Sequence, residues 1–369
     1  MKKSVLWGGV RKVFQFLEAW ALRQKKYAEF KEDVTSWKIA CDLTPLTKSQ
    51  KKEIKDYYKS TLRKAPKYYY HQIYYGANGN FAKEYIPEDL YQARIQPMLF
   101  DMNVCQAYDD KNLYAQLFPD ALMPETIVKC SAGHYYDSMN NIISKQDAID
   151  LCRNLESAII KPSFMSAGGN GVKRISVSNG IEKSGTNISD LIESYGKNFV
   201  VQKVINQCEA FARLNPSSCN TIRISTYFRE KEIIVLYAVM RIGDIGATID
   251  NTTHGGYCCK IKEDGTLDNV AYSFTPVDRL YKTKTGITLD GYKIPCYNEV
   301  VRLAKKYHAE IPQIPIVGWD FTVDNQERVV LIEMNAPCGI PHQINCGPVY
   351  GKYTTEILTK CRYKYKFFK

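Results

Sequence analysis

From about residue 100 onward, short apolar runs alternate with Gly-, Asn- and Asp-rich turns. Runs of this length, bounded this way, read as strands: "TIVKC" within 120–130, "AIIKPS", "VKRISV" and "NFVVQKVI", then "TIRISTYF", "EIIVLYAVMRIG" and "GGYCCKIKEDG". Between them lie segments with helical spacing. These are "DDKNLYAQLFP", with Asp109 or Asp110 as its cap, "KQDAIDLCRNLES", "NISDLIESYG" and "CYNEVVRLAKKYHAEI". The run from Val317 to Gly339, "VGWDFTVDNQERVVLIEMNAPCG", reads as a hairpin. The class is therefore mixed α and β, an α+β chain with antiparallel sheets. The first part of the chain has a different texture. Over residues 4–30, Val10, Val13, Phe14, Leu17, Trp20 and Ala21 recur at helical spacing among Arg11, Lys12, Arg23, Lys25 and Lys26. That helix either packs on the body of the protein or lies on an anionic membrane surface, where Lys, Arg, Trp and Phe are suited to the interface. Residues 48–75 read as a second basic, Tyr-rich helical segment; stacking on nucleic acid is the weaker reading, because no RNA-binding signature accompanies it.

Composition narrows the classes. The chain has 369 residues, 45% hydrophobic and 24% charged, enough for two or three lobes with a large core. No run approaches the ~20 apolar residues of a spanning helix, and the basic start "MKKSVLWGGVRKVF" is interrupted too early for a secretory core. A cytoplasmic location is expected. The twelve cysteines follow no metal-ligand spacing and read as reduced thiols. The net charge of +11 is concentrated: residues 1–70 hold 17 Lys and Arg against 7 Asp and Glu, the rest 33 against 32. A basic end is not a basic protein, so no nucleic-acid partner is expected.

The hairpin poses the chemical question. Its strands are apolar, yet they carry Asp320, Glu333 and Asn335. Buried charge is costly unless paired. With an even-length loop, Asp320 lies opposite Leu331 and Glu333 opposite Gly318. Alternation then puts Asp320, Glu333 and Asn335 on one face, and Val317, Trp319, Phe321, Val330, Ile332 and Met334 on the other. An all-oxygen cluster of this kind suits Mg²⁺ beside phosphate. Equally, the three residues could ring a solvated edge or pair with arginine.

Three further segments carry candidate chemistry. In "AIIKPSFMSAGGNGVKRISV", Lys161 ends a strand and a flap containing Ser166, Gly168, Gly169 and Gly171 follows. Glycine backbone can fold over phosphates. In "VVQKVINQCEAFARLNPSSCNTIRIS", the strand end Gln202, Lys203, Val204 and Ile205 could read an adenine edge, Glu209 could accept from a ribose hydroxyl, and Arg223 sits on the next strand. In "VMRIGDIGATIDNTTHGGYCCKI", Arg241, Asn251 and His254 gather around a Gly255-Gly256 loop, and arginine suits phosphate or carboxylate oxygens. Each of these has a bland reading as an ordinary loop or surface hairpin.

In their order along residues 105–345, these segments resemble the ATP-grasp enzymes. The Asp320…Glu333-x-Asn335 ending with "IEMNAPCG" is similar to the metal end of D-alanine–D-alanine ligases. "SCNTIRIST", "RIGDIGATIDNTTHGG" and "VGWDFTV" are closer to the sugar-transfer-associated ATP-grasp family. The resemblance implies two α+β lobes with ATP between them, after a basic helical region: 1–100, then a first lobe 101–204, then a second lobe 205–369. It implies ATP and Mg²⁺, the ion held by Asp320, Glu333 and Asn335. Lys161, the flap, Gln202 to Ile205 and Glu209 would hold the nucleotide, and Arg223, Arg241 and Asn251 would act on the substrate.

Two departures stand out. The second phosphate lysine of those ligases is absent from its usual place after "DDKN", so Lys111 or Lys129 substitutes or the contact is missing. Gly318 stands where they carry an arginine. The implied activity is a carboxylate–amine ligase acting through an acyl phosphate, on small-molecule substrates of a surface glycan. The N-terminal helix would rest at the inner face of the membrane. A sugar phosphotransferase is the alternative, and a nucleotide-binding module without turnover is a third class.

Overall fold

The structure, a computed structural model, describes Lys25 and residues 43–164, 167–247, 250, 252, 255–273 and 278–362. The amphipathic segment expected over 4–30 therefore lies outside the described residues, apart from Lys25, as do Ser166 and Asn251.

Contacts divide the chain into two compact units. One comprises the described residues up to 101 together with 339–362. Its first helix, α1 (Lys48–Leu62), starts at a reciprocal cap between Thr47 and Gln50 and ends at Arg63 in the left-handed region. The second, α2 (Tyr69–Asn78), follows after Pro66, so the segment expected as one helix over 48–75 is two. Its tyrosines are core. Tyr58, Tyr70, Tyr74 and Tyr85 are buried, and the Tyr58 hydroxyl donates to the Tyr85 carbonyl at 2.6 Å. Rings committed to a core cannot act as a stacking platform. The Gln343 amide closes this unit: Oε1 accepts from Ile86 N and Nε2 donates to Ile86 O, both at 2.7 Å. The sequence division puts 339–369 with the second lobe; the described part of that segment instead clusters with the N-terminal helices.

The other unit, 102–274 and 278–338, holds two seven-stranded antiparallel sheets. The first contains β1 (Thr126–Ser131), β2 (His134–Tyr136), β3 (Ile142–Ile143), β4 (Leu155–Pro162), β5 (Lys173–Ser178), β6 (Ile181–Glu182) and β7 (Phe199–Lys203). Its order is β3-β2-β1-β7-β4-β5-β6. Helices α3 (Lys145–Leu151) and α4 (Ile188–Ser194) supply Ala148, Ile188, Leu191 and Ile192 to a core with Ala158, Ile160, Ile175, Val177, Phe199 and Val201. Because side chains alternate, Ile159, Lys161, Arg174 and Gln202 emerge on the opposite face.

The second sheet contains β8 (Thr221–Arg229), β9 (Glu232–Ile242), β10 (Tyr257–Ile261), β11 (Leu267–Tyr272), β12 (Arg279–Leu280), β13 (Ile316–Val323) and β14 (Val329–Asn335). Its order is β12-β11-β10-β9-β8-β13-β14. The short helix α5 (Glu209–Leu214) lies between β7 and β8, in a stretch to which the sequence pattern assigns no helix. Helix α6 (Tyr297–Glu310) buries Val300, Ala304, Tyr307 and His308. Tyr307 and His308 lie against the Trp319 ring, at 6.2 and 6.3 Å between centroids. A buried polar chain fixes this contact: Trp319 Nε1 donates to Thr226 Oγ1 at 2.9 Å, Thr226 Oγ1 lies 2.7 Å from His308 Nδ1, and His308 Nε2 lies 2.8 Å from the Ile314 carbonyl.

The β13–β14 register differs from the sequence expectation. Val323 pairs with Val329, Thr322 with Val330 and Phe321 with Leu331. Continued regularly, that ladder would set Asp320 against Ile332 and turn Glu333 to the other face. The register shifts between Phe321 and Asp320, so that Ile332 is the extra residue of a bulge. Beyond it Asp320 faces Glu333, and Gly318 faces Asn335. The three polar residues do share a face, but a bulge rather than an even loop puts them there. Val330 and Ile332 leave the Trp319 face, and Leu331 joins it.

Candidate active site

The inner faces of the two sheets line a cavity of about 430 Å³ within this second unit. From the first sheet it takes Ile159, Lys161, Arg174 and Gln202, with Gly168 and Gly169 of the flap. From the second it takes Thr221, Arg223, Arg241, Asp320, Ile332, Glu333 and Asn335, with Asp250 of the loop after β9.

Lys161 is the informative cation. Cross-strand pairing with Val200 fixes β4 here, and the residue is 8% exposed. Among the described residues it makes no hydrogen bond or ion pair. Burial, reinforced by the neighbouring Lys111 charge and opposed by Glu333, lowers its pKa to about 8. A buried ammonium without a partner costs stability and so implies an anion to be supplied. The flap beside it has Gly168, Gly169 and Gly171 at φ of 73°, 79° and 75°. A Cβ at Gly171 would lie 2.9 Å from Pro162 Cγ.

Lys111 is the lysine that reaches the cavity. Asp110 accepts from Asn112 N at 3.0 Å, capping the turn Lys111–Leu113, and Lys111 N donates to Ser163 O at 2.8 Å. Its ammonium pairs with Glu333 Oε1 at 3.1 Å. Lys129, the other candidate, donates to the Asn112 carbonyl at 3.3 Å and is absent from the lining.

At the end of β7, Lys203 N still bonds to Glu125 O at 2.9 Å, but the backbone of Val204 and Ile205 makes no backbone hydrogen bond among the described residues. All four residues 202–205 line the cavity. Glu209 does not: it is exposed in the first turn of α5, and Ala212 is the residue of that helix at the cavity wall. Behind this hinge, Gln207 Nε2 donates to Asn215 O and Ser218 O at 2.8 and 2.9 Å, and its Oε1 accepts from Asn220 N and Nδ2. That knot ties the hinge to the start of β8.

Asp320, expected to face a cation, faces two guanidinium groups. It is the cross-strand partner of Arg223, whose Nε donates to Oδ1 and whose Nη2 donates to Oδ2 at 2.7 Å. Arg241 Nη1 donates to the same Oδ2 at 3.1 Å, and Asn335 Nδ2 reaches it at 3.4 Å. Arg241 Nη2 also pairs with Asp250 Oδ1 at 3.2 Å, and Asp250 Oδ2 accepts from the Thr221 hydroxyl. Burial works to lower the arginine pKa values, but the Asp320 and Asp250 charges outweigh it and hold both above the ordinary value. Burial raises the Asp250 pKa, with Arg241 opposing. Asp320 is only 3% exposed. Breaking one side of such a buried pair costs about 3–5 kcal/mol.

This decides which oxygens suit Mg²⁺. Three donors converge on Asp320 Oδ2 and one on Oδ1, and three of the four come from the two guanidinium cations, so the charge of this carboxylate is already committed. Asn335, which lines the cavity, turns Nδ2 toward Asp320 and the Gly318 carbonyl, so its Oδ1 is not used in those contacts. Glu333 has an oxygen beyond its Lys111 contact. Glu333 and Asn335 fit an oxygen-seeking ion as placed, and Asp320 does not. Among the described residues no group of three His, Cys, Asp or Glu could hold a metal.

Sequence reasoning missed Asp250 and Thr221, which lie in a threonine-rich loop and at a strand start without periodic signal. It also missed Arg174, whose exposed alternation on β5 resembles any surface strand.

The family described as sugar-transfer associated ATP-grasp matches residues 91–357. No curated protein matches the chain. Among solved structures, a D-cycloserine synthetase is similar at 12% identity and TM-score 0.37, over 70% of each chain. D-alanyl-alanine synthetase A from Vibrio cholerae is similar at 13% identity and TM-score 0.38, over 68% of this chain and 61% of that one. Biotin carboxylase from Campylobacter jejuni is similar at 14% identity and TM-score 0.40, over 71% and 47%. The chain thus spans less than two thirds of the latter two. The family match covers most of the chain, and this protein belongs to the sugar-transfer-associated ATP-grasp family of enzymes.

Proposed function

We propose that the protein is an ATP- and Mg²⁺-dependent carboxylate–amine ligase acting through an acyl phosphate. The observation that carries this reading is Lys161, a buried ammonium without a described partner, at a cavity roofed by a glycine flap and bounded by an open hinge backbone. Val204 and Ile205 offer their backbone groups to an adenine edge. Lys161, Lys111 and the flap amides hold the β- and γ-phosphates. Mg²⁺, brought with the nucleotide, supplies further charge neutralisation there, and Glu333 and Asn335 are the residues that would hold it.

A substrate carboxylate oxygen attacks the γ-phosphorus as the bond to ADP breaks, giving the acyl phosphate. An amine then attacks the acyl carbon, inorganic phosphate leaves, and the amine loses a proton. Arg223 and Arg241 stand at the wall of the cavity with N–H groups beyond those given to Asp320 and Asp250, suited to the acyl oxygen as it gains charge. Asn251, which lies outside the described residues, is proposed to share this role. The chain's own contribution is positioning and fixed charge. The family's association with sugar transfer supports a glycan-linked substrate, such as a uronic acid, amino sugar or amino acid of a surface polysaccharide. Residues 1–30 are proposed to bring the enzyme to the inner membrane face. No helix among the described residues is long and apolar enough to cross a membrane.

The test is an ADP-release screen of uronic acids, amino acids and nucleotide sugars, followed by hydroxylamine trapping of any active substrate. A hydroxamate supports the ligase. ADP release with a phosphorylated sugar and no hydroxamate supports the phosphotransferase instead, and no ADP release with any substrate favours a binding module.

A further inference from the structure

We propose that Asp320 anchors an arginine pair rather than binding a cation, and that divalent metal enters this site only as its nucleotide complex, on Glu333 and Asn335. The argument is one of charge and of which groups already hold the carboxylate. Arg223 and Arg241 balance Asp320 and Asp250, all four at most 14% exposed in their side chains. Glu333 is balanced by Lys111. Lys161 adds a positive charge that makes no ion pair among the described residues and is offset only in part by Glu333, which Lys111 already engages. A cation approaching the protein alone therefore meets acidic groups that are already ion-paired, and at Asp320 it must compete with two guanidinium groups. The nucleotide phosphates reverse that balance: they satisfy Lys161 and bring the negative charge that an ion needs. Asp320 is thus a positioning residue. Its bidentate grip sets the plane of the Arg223 guanidinium, and its second oxygen shares Arg241 with Asp250, so both arginines are held toward the cavity before any substrate arrives.

The proposal separates from a metal-ligand role by the sign of one change. Neutralising a carboxylate in an unpaired acidic cluster relieves repulsion and stabilises metal-free protein. Neutralising one that balances two buried arginines does the reverse. In the full-length chain with EDTA, D320N should melt at least about 5 °C lower, or fail to fold, and R223Q/D320N, which removes the charge pair together, should recover at least half of the loss. With Mn²⁺ as probe, the wild type should bind no ion below about 100 µM without nucleotide. With adenosine 5′-(β,γ-imido)triphosphate present, R223Q/D320N should hold Mn²⁺ within about threefold of wild type while E333Q loses about tenfold or more. A D320N melting temperature equal to or above wild type, tight Mn²⁺ binding by the protein alone, or a tenfold loss of nucleotide-dependent Mn²⁺ affinity in R223Q/D320N would each overturn the proposal. The metal arm rests on the nucleotide-binding reading above. Failure of the wild type to bind the analogue would sink that reading, while the metal-free melting comparison would still decide the role of Asp320.

Discussion

Gly318 is one of the two places where the sequence departs from the ligases it resembles, and the structure makes its substitution quantitative. Gly318 lies on β13 between Ser225 and Asn335 in the ladder. A Cβ there would stand 2.8 Å from Cys338 Sγ and 3.4 Å from Arg223 Cδ. Carbon and sulfur cannot approach that closely, so Sγ must retreat by at least roughly 0.6 Å. It has little room, because Cys338 is 2% exposed and its sulfur already touches Tyr237 Oη at 3.7 Å and Ser225 Oγ at 3.9 Å. Overpacking of this kind costs about 1–3 kcal/mol. G318A should therefore destabilise the protein by about 2 kcal/mol in urea unfolding. C338A alone should cost about 1 kcal/mol, the scale of one small buried group. The double variant should be no worse than C338A, a coupling of about 2 kcal/mol. G318A within about 0.5 kcal/mol of wild type, or a double variant as unstable as the two singles added together, would show that the close approach of β13 and Cys338 is not what requires glycine.

Three other outcomes are expected. Lys161, depressed to about 8, is fully charged in the folded protein only below that pH. Its charging penalty on stability is therefore complete below about 8 and fades as pH rises toward 10.5. Affinity for the ATP analogue, which needs the ammonium, should weaken between pH 8 and 9 by up to about tenfold; titration calorimetry checks this, and K161R should flatten the profile. His308 is held neutral by burial, its pKa lowered to about 4. The unfolded chain binds that proton near 6.5 and the folded one does not, so His308 should cost about 3 kcal/mol of stability as pH falls from 6.5 to 4. His71, also lowered to about 4, acts in the same window, and H308Q should reduce the acid slope in urea titrations without abolishing it. G171A combines a left-handed φ of 75° with the 2.9 Å approach to Pro162. It should open the flap at a local cost of about 1–3 kcal/mol, seen as faster amide exchange over 167–173 and weaker nucleotide binding; unchanged exchange would count against the flap.

The strands β1, β4, β5, β7 to β10, β13 and β14 were legible as apolar runs bounded by turn residues, a signal that survives in the linear pattern; β11 and the two- and three-residue strands β2, β3, β6 and β12 were not read. Lys161, the flap glycines, the hinge at 202–205 and the Asp320–Asn335 ending were legible for a related reason. Each couples an unusual residue type to a strand end or turn whose position the pattern marks. Helix α5 was not, because six residues of "EAFARL" make less than two turns and give too few repeats for a period to emerge.

The order of residues was enough for the class, the family resemblance and about half of the residues at the cavity. How they act on one another follows from the folded arrangement of the strands. A single extra residue at Ile332 decides whether Glu333 faces Asp320 or the core, and bulges carry no signature in an apolar run. Asp320 meets Arg223, Arg241 and Asn335 because β13 lies between β8 and β14, a neighbourhood that joins residues nearly a hundred positions apart in the chain. The partners of a charge depend on distances of a few ångströms between strands, and the order of residues along a chain does not contain those distances.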